Sequence, residues 1–219
     1  MTEKSLTRLY PKDLGFKKRL FQLLSLYCLF VPLMSLFYKF IIVGRENVPK
    51  NEQIICAGNH ISFFDPFLMA LATEKKYAYM AKKELFANPV LKFFLPKLGA
   101  FLVNREKPDV STIKTVRDIF KTDDWSLGIF PQGGIHRNKK IEEISRGFVA
   151  LAKLFKKNIL PIGITGTEES NYNPFKRQTV TLKIGKVISY ELSENEIIDN
   201  WYEQLKSLTG YEIVQKQPV

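Results

Sequence analysis

A histidine and an aspartate five residues apart are the residues of this chain best suited to catalysis. In the segment AGNHISFFDPF, His60 follows an apolar run and Asp65 precedes a proline. A histidine that is hydrogen-bonded to a carboxylate is held in one tautomer and is stabilised when it takes up a proton. The pair therefore predicts a general base, His60, that is oriented by Asp65.

Each member of the pair also has an ordinary structural explanation. Asp followed by Pro is typical of a helix start, so Asp65 would cap a helix and Pro66 would be its first residue. His60 would then be a loop histidine bonded to the backbone. Taken singly, each of these explanations is commoner than catalysis, so the interpretation depends on the other motifs of the chain.

The elements that would position this pair alternate between strand-like and helix-like segments. We expect strands at 53–58, 77–81, 100–103, 126–130, 159–165 and 178–190, the last as a strand or hairpin, and helices at 65–72, 88–99, 109–122, 145–157 and 193–210. This alternation predicts an α/β fold with a mixed, largely parallel sheet flanked by helices on both faces. Ligands bind such sheets at the carboxyl ends of the strands, where His60 would lie.

The amino-terminal segment is apolar and uncharged from Leu20 to Tyr38, with basic residues on either side. A helix needs about 20 apolar residues to span a bilayer, and Pro32 would kink or break one here. We expect a helical hairpin that dips into one leaflet, in preference to a full span or a buried core helix. The predicted organisation is a membrane-associating segment, 1–42, followed by one α/β domain, 43–219.

Composition narrows the choice of partners. The net charge of +11 predicts an anionic partner, which is a phospholipid surface, a phosphorylated substrate or nucleic acid. The basic residues are scattered and no nucleic-acid-binding motif is present, so we expect no nucleic acid. Two cysteines, Cys28 and Cys56, suit a reducing compartment, and we expect neither a metal site nor a cofactor. With no signal-peptide cleavage site, these features predict the cytoplasmic face of a membrane.

Four short blocks in the same order resemble those of the 1-acylglycerol-3-phosphate acyltransferases, the HxxxxD glycerolipid acyltransferase family. The matching residues are Asn59, His60 and Asp65 in the first block, Gly99, Phe101 and Arg105 in the second, Phe130, Pro131 and Gly133 in the third, and Pro161 in the fourth. The resemblance covers roughly residues 43–165. An isolated HxxxxD is weak evidence of function, whereas four ordered blocks behind a hydrophobic amino terminus are specific.

The resemblance implies the glycerolipid acyltransferase fold and an activity in phospholipid biosynthesis. An acyl group would pass from acyl-CoA or acyl-carrier protein to the free hydroxyl of lysophosphatidic acid, giving phosphatidic acid without an acyl-enzyme. His60 would take the hydroxyl proton while Asp65 orients the ring, and the amides near Gly133 and Gly134 would stabilise the oxyanion. The expected substrate-binding residues are Asn59, Lys82, Arg105, Gln132, Gly133 and Arg137. Phe63, Phe64 and Phe67 are candidates to line an acyl tunnel.

The third block departs from the family's usual FPEGTRS. Gln132 replaces glutamate, Gly134 replaces threonine, and Ile135 stands where the family has an arginine. Arg137 is the best substitute for that arginine; Lys139 is a poorer one, and His136 is a further possible phosphate contact. The departure leaves three hypotheses: a lysophosphatidate acyltransferase, a same-fold acyltransferase for another lysolipid or an amine-bearing lipid, and a non-catalytic lipid-binding protein. Intact His60 and Asp65 argue against the third.

Overall fold

The computed structural model describes residues 6–103, 110–169 and 172–214. Within these ranges nine strands are formed: β1 Tyr38–Val43, β2 Ile55–Gly58, β3 Lys76–Lys82, β4 Ala100–Val103, β5 Trp125–Ile129, β6 Lys140–Ile141, β7 Ile159–Thr165, β8 Gln178–Ile184 and β9 Glu212–Ile213. Seven of them make one sheet in the order β1–β8–β7–β2–β5–β3–β4, and β6 pairs with β9 in a second, two-stranded sheet.

The main sheet is mixed and mostly parallel. β7, β2, β5, β3 and β4 all run the same way, β8 is antiparallel to β7, and β1 is parallel to β8. The predicted α/β class is therefore confirmed. Because five parallel strands end at one edge of the sheet, the loops after β2, β3, β4, β5 and β7 share that edge, which we call the carboxyl edge.

In the described part of the chain seven α-helices accompany the strands: α1 Phe16–Leu23, α2 Val31–Ser35, α3 Asp65–Thr73, α4 Pro89–Phe94, α5 Val110–Phe120, α6 Gly147–Phe155 and α7 Glu194–Thr209. α7 opens with a capping box, in which Ser193 Oγ accepts the Glu196 N–H and the Glu196 carboxylate accepts the Ser193 N–H. The helix ends at Gly210 in the left-handed conformation, φ +74°. Local sequence signals therefore set both ends of α7.

Helices cover both faces of the sheet. A β-carbon added at Gly163 of β7 would meet Leu208 of α7, whereas one added at Gly58 of β2 would meet Ile162 and Met69 of α3. Successive residues of a strand point to opposite faces, so α7 and α3 lie on opposite sides of β7. Between them lie fully buried side chains such as Ile162.

The amino-terminal segment differs from the expected hairpin. From 16 to 35 the backbone is one helical run, in which a π-helical stretch, Leu24–Phe30, joins α1 to α2. Pro32 lies directly after the widened π turns. These turns already shift the backbone hydrogen bonds, so the proline is accommodated without reversing the chain. None of the helices among the described residues is both long and apolar enough to cross a membrane.

The helical run packs against the α/β domain. Phe30 stacks on Phe67 of α3 with ring centroids 4.8 Å apart. Arg8, ahead of the run, forms a 2.5 Å ion pair with Asp118 of α5. The predicted boundary between residues 42 and 43 lies inside β1, which pairs with β8 from Tyr38 onward. The sheet therefore begins earlier than the sequence suggested.

Candidate active site

His60 and Asp65 lie in direct contact at the carboxyl edge, after β2. His60 Nδ1 is 2.7 Å from Asp65 Oδ2. Because a carboxylate oxygen accepts, Nδ1 carries the proton and Nε2 keeps its lone pair. Among the described residues Nε2 has no hydrogen-bond partner, so it is available to take a proton.

Asp65 shapes the loop between the two residues. Its Oδ2 accepts the backbone N–H groups of Ile61 at 2.7 Å and Ser62 at 2.8 Å, as well as the His60 ring. Asp65 is the first residue of α3 and makes no capping bond to that helix, so the expectation of a simple helix cap is wrong. The carboxylate instead folds the chain back so that a five-residue separation becomes a contact.

Asp65 is completely buried, and its Oδ1 has no hydrogen-bond partner among the described residues. Burial raises the pKa of this carboxyl, because the charged form loses its hydration. The hydrogen bonds from His60, Ser62 and Ile61 oppose that rise, because they favour the carboxylate. The charged form of Asp65 is therefore stabilised by its contact with His60.

The imidazole of His60 is fixed from a second direction. It stacks on Phe130, which follows β5, with centroids 4.2 Å apart and an angle of 19° between the rings. The two residues are brought together because β2 and β5 are parallel neighbours in the sheet. The His60 side chain remains 17% exposed, toward a cavity.

The cavity has a volume of about 320 Å³ and a mostly apolar lining. It runs between α3, β3 and the amino-terminal helical run, with His60, Phe130 and Gly134 at one end. Phe63 and Phe67 line it, as expected. Phe64 is not part of the lining and contacts Phe30. An apolar cavity that opens on a general base suits a substrate with a long hydrocarbon chain.

The helical run also supplies polar groups to this cavity, and this role was not predicted from the sequence. Gln22 Nε2 donates to the carbonyls of Tyr77 and Leu98, at 2.8 Å each. The Arg19 guanidinium lies within about 3.5 Å of the carbonyls of Glu74 and Lys75. The one feature of the sequence that could have suggested this role is that Gln22 is a lone glutamine inside an apolar run.

The loop that follows Phe130, which holds the third sequence block, is hydrogen-bonded to the loop that holds His60. His136 N–H donates to the His60 carbonyl at 2.7 Å, and Arg137 Nε donates to the Ile61 carbonyl at 3.3 Å. Gly133 N–H donates to the Phe130 carbonyl at 3.0 Å, so this amide is not free to bind an oxyanion. The Gly134 N–H has no such partner among the described residues, so of the two expected amides only Gly134 is available.

The other predicted substrate-binding residues differ in whether their side chains are already paired and in whether they line the cavity. Asn59 is buried, and its side-chain amide bonds both the N–H and the carbonyl of Ile164 at 2.8 Å, so both its polar ends are already paired with β7. Gln132 donates to the Lys140 carbonyl at 3.3 Å. Lys82 is exposed and lines the cavity. Arg105 lies outside the described residues.

Comparison with known proteins agrees with this geometry. Residues 39–165 match the family model described as Acyltransferase. The chain belongs to this acyltransferase family. The resemblance drawn from the four blocks is therefore confirmed.

Its relatives include proteins named 1-acyl-sn-glycerol-3-phosphate acyltransferase. That of Streptococcus pneumoniae is 37% identical over 56% of this chain and 46% of its own length. That of Bacillus subtilis is 33% identical over 66% of this chain and 71% of its own. The chain thus spans under half the length of the pneumococcal relative. The crystal structure of the 1-acyl-sn-glycerophosphate acyltransferase of Thermotoga maritima is similar in fold, with a TM-score of 0.60 over 94% of this chain and 80% of that one, at 19% identity.

Proposed function

We propose that this protein transfers a fatty acyl group from a thioester donor to the free hydroxyl of lysophosphatidic acid, giving phosphatidic acid. The observation that carries the proposal is the His60–Asp65 pair, whose unpaired Nε2 faces an apolar cavity. The names of the relatives support the same acceptor. Acyl-CoA and acyl-carrier protein are both suitable donors.

The reaction proceeds by direct attack. His60 Nε2 takes the proton of the acceptor hydroxyl, whose oxygen forms a bond to the thioester carbonyl carbon. The negative charge that develops on the carbonyl oxygen is stabilised by the Gly134 N–H. When the tetrahedral intermediate collapses, the carbon–sulfur bond breaks and the leaving thiolate takes the proton from the His60 imidazolium. Asp65 stabilises the imidazolium while it exists.

The apolar cavity holds an acyl chain. Its walls come from α3 and β3 on one side and from the helical run on the other, and the Gln22 side chain is tied across it to Tyr77 and Leu98. Filling the cavity with hydrocarbon removes apolar surface from water, which is worth roughly 0.8 kcal/mol for each buried CH₂ group. The depth of the cavity therefore selects chain length.

The same protein binds the cytoplasmic face of a phospholipid membrane through its carboxyl edge. Large apolar side chains are exposed there on the helical run, after β2, on α4 and on the loop before β8: Leu29 64%, Leu33 48%, Phe63 63%, Val90 60%, Phe93 54% and Phe175 97%. Exposed apolar patches of this kind mark interaction surfaces, and the net charge of +11 favours an anionic leaflet. The cavity mouth would then face the lipid.

Product formation tests the activity. Detergent-purified protein is given lysophosphatidic acid with acyl-CoA and, separately, with acyl-carrier protein, and lipids are analysed by mass spectrometry. We expect phosphatidic acid from the wild type and none from His60→Ala. Equal product from both proteins would refute the role of His60. Product only with another lysolipid or an amine-bearing lipid would favour the same-fold alternative, and no product with any acceptor would favour the non-catalytic one.

Sedimentation with vesicles tests the membrane surface. Leu29→Asp combined with Leu33→Asp should weaken binding to phosphatidylglycerol-containing vesicles. Leu154→Asp is the matched control, because Leu154 is 58% exposed but lies at the far end of α6, away from the carboxyl edge. Equal loss of binding in both variants would mean that the carboxyl edge is not the lipid-binding face.

A further inference from the structure

A second histidine–carboxylate pair lies beside the first, and nothing in the proposed reaction uses it. His136 Nδ1 is 3.1 Å from Glu142 Oε2. The other oxygen of Glu142 accepts the Asn138 side-chain N–H at 2.7 Å. Each of the two histidines of the chain thus has an acidic side chain beside Nδ1, which leaves Nε2 for another partner.

His136 is fixed against the catalytic loop. Its backbone N–H bonds the His60 carbonyl at 2.7 Å, and the Glu142 carbonyl at the other end of the pair accepts the Tyr202 hydroxyl at 3.3 Å. The ring is 27% exposed, so it is held in place but accessible.

The free nitrogen of the ring lies beside Gly134, one of the residues that line the cavity. A β-carbon added at Gly134 would be 3.2 Å from His136 Nε2. Gly134 and Ile135 both line the cavity. The imidazole therefore borders the space that a side chain at position 134 would enter.

We propose that His136, oriented by Glu142, binds the phosphate of the acceptor lipid at the mouth of the cavity and so selects acceptors that carry a phosphate. The inference rests on the proposed function. With the phosphate bound, the ring lies between two anions and donates to both, from Nδ1 to Glu142 and from Nε2 to the phosphate. Two exposed cations are available nearby: Arg137 follows His136 in the chain, and Lys82 lines the cavity.

Nuclear magnetic resonance of the histidine rings tests the contact without turnover. The chain has two histidines, so spectra of His60→Gln and His136→Gln assign every imidazole signal. Full-length protein in detergent is titrated with lysophosphatidic acid, or with a monoacylglycerol of the same chain length, in the absence of donor. We expect the His136 Nε2 signal to move with the phosphorylated lipid and to stay in place with monoacylglycerol. A response of His60 alone, or of neither ring, would overturn the proposal.

Kinetics provide the second readout. Loss of one hydrogen bond to a charged group should raise the KM for lysophosphatidic acid about tenfold in His136→Gln, with a much smaller effect on kcat. Glu142→Gln, which keeps the histidine itself, should raise KM less. Glu74→Gln is the matched control, since it removes the carboxylate of the exposed Arg45–Glu74 ion pair at the opposite edge of the sheet.

A fall in kcat with unchanged KM in His136→Gln would refute the phosphate contact. So would an equal rise of KM in Glu74→Gln. If the wild type makes no phosphatidic acid, the proposed reaction fails while the titration still decides whether His136 binds the phosphate. The two proposals can therefore fail separately.

Discussion

Replacing Asp65 by asparagine should abolish most activity while leaving the fold intact. The asparagine oxygen can still accept the N–H groups of Ile61 and Ser62, which fold the loop. It cannot also accept the His60 Nδ1 proton in the same way, and the amide NH₂ favours the tautomer with the proton on Nε2. That tautomer has no lone pair facing the acceptor hydroxyl.

The expected magnitude follows from the role of the pair. Losing the correct tautomer and the stabilisation of the imidazolium costs about 10³ to 10⁴ in kcat in enzymes with an oriented histidine, or about 4 to 5.5 kcal/mol of activation free energy. The effect on folding is smaller. The lost hydrogen bond to a charged group, about 1.5 to 3 kcal/mol, is offset by relief of the buried charge.

The assay compares kcat with lysophosphatidic acid and measures the free energy of unfolding by denaturant for both proteins. Asp118→Asn is the matched control, because Asp118 is also a buried aspartate in an ion pair, with Arg8 at 2.5 Å and Arg117 at 3.7 Å, but lies on α5 away from the cavity. We expect Asp118→Asn to lose stability and keep kcat. If Asp65→Asn retains more than a tenth of the wild-type kcat, the orientation argument is wrong.

Three further predictions concern Asn59, Asp65 and the cavity. Asn59→Ala should destabilise the protein by about 2 kcal/mol or more, because two buried backbone groups of Ile164 lose their partner; an unchanged denaturation midpoint would count against this. Burial raises the pKa of Asp65, so between pH about 4 and that raised pKa the folded state holds a proton that the unfolded state has released. The contribution of Asp65 to stability should therefore be greatest below that pH and decline as pH rises through the raised pKa; Asp65→Asn should remove this decline in unfolding experiments between pH 4 and 7. Ala70→Phe should fill the cavity and shift the product toward shorter acyl chains, whereas an unchanged chain-length profile by mass spectrometry would place the chain elsewhere.

Much of the fold follows from patterns within single segments. Apolar runs bounded by turn residues predicted the five parallel strands, and the helix predicted at 193–210 matches α7, which a Ser-x-x-Glu capping box opens. β1 was missed because its apolar residues continue the preceding helical run. Its pairing with β8, about 140 residues later, is set by tertiary contact alone. The same holds for the two-residue strands β6 and β9, which have no periodicity to read.

The site shows the same division between local and tertiary information. Spacing predicted that His60 and Asp65 meet, and they do. Spacing could not reveal that Asn59 and the Gly133 amide are already paired with backbone groups, because those partners come from β7 and from the turn at Phe130. Nor could it pair His136 with Glu142, since that contact requires the loop to curl back on itself.

Direct transfer without an acyl-enzyme is also what the nucleophilic side chains favour. Cys56 is fully buried, and burial raises the pKa of its thiol to about 12, so the reactive thiolate is suppressed. The Ser62 hydroxyl is buried and accepts the Phe64 N–H at 3.2 Å, while His60 Nδ1 is bonded to Asp65. Cys28 does not line the cavity. No cysteine or serine lines the described cavity beside Nε2 of His60, which supports the proposal that the nucleophile is the hydroxyl of the acceptor.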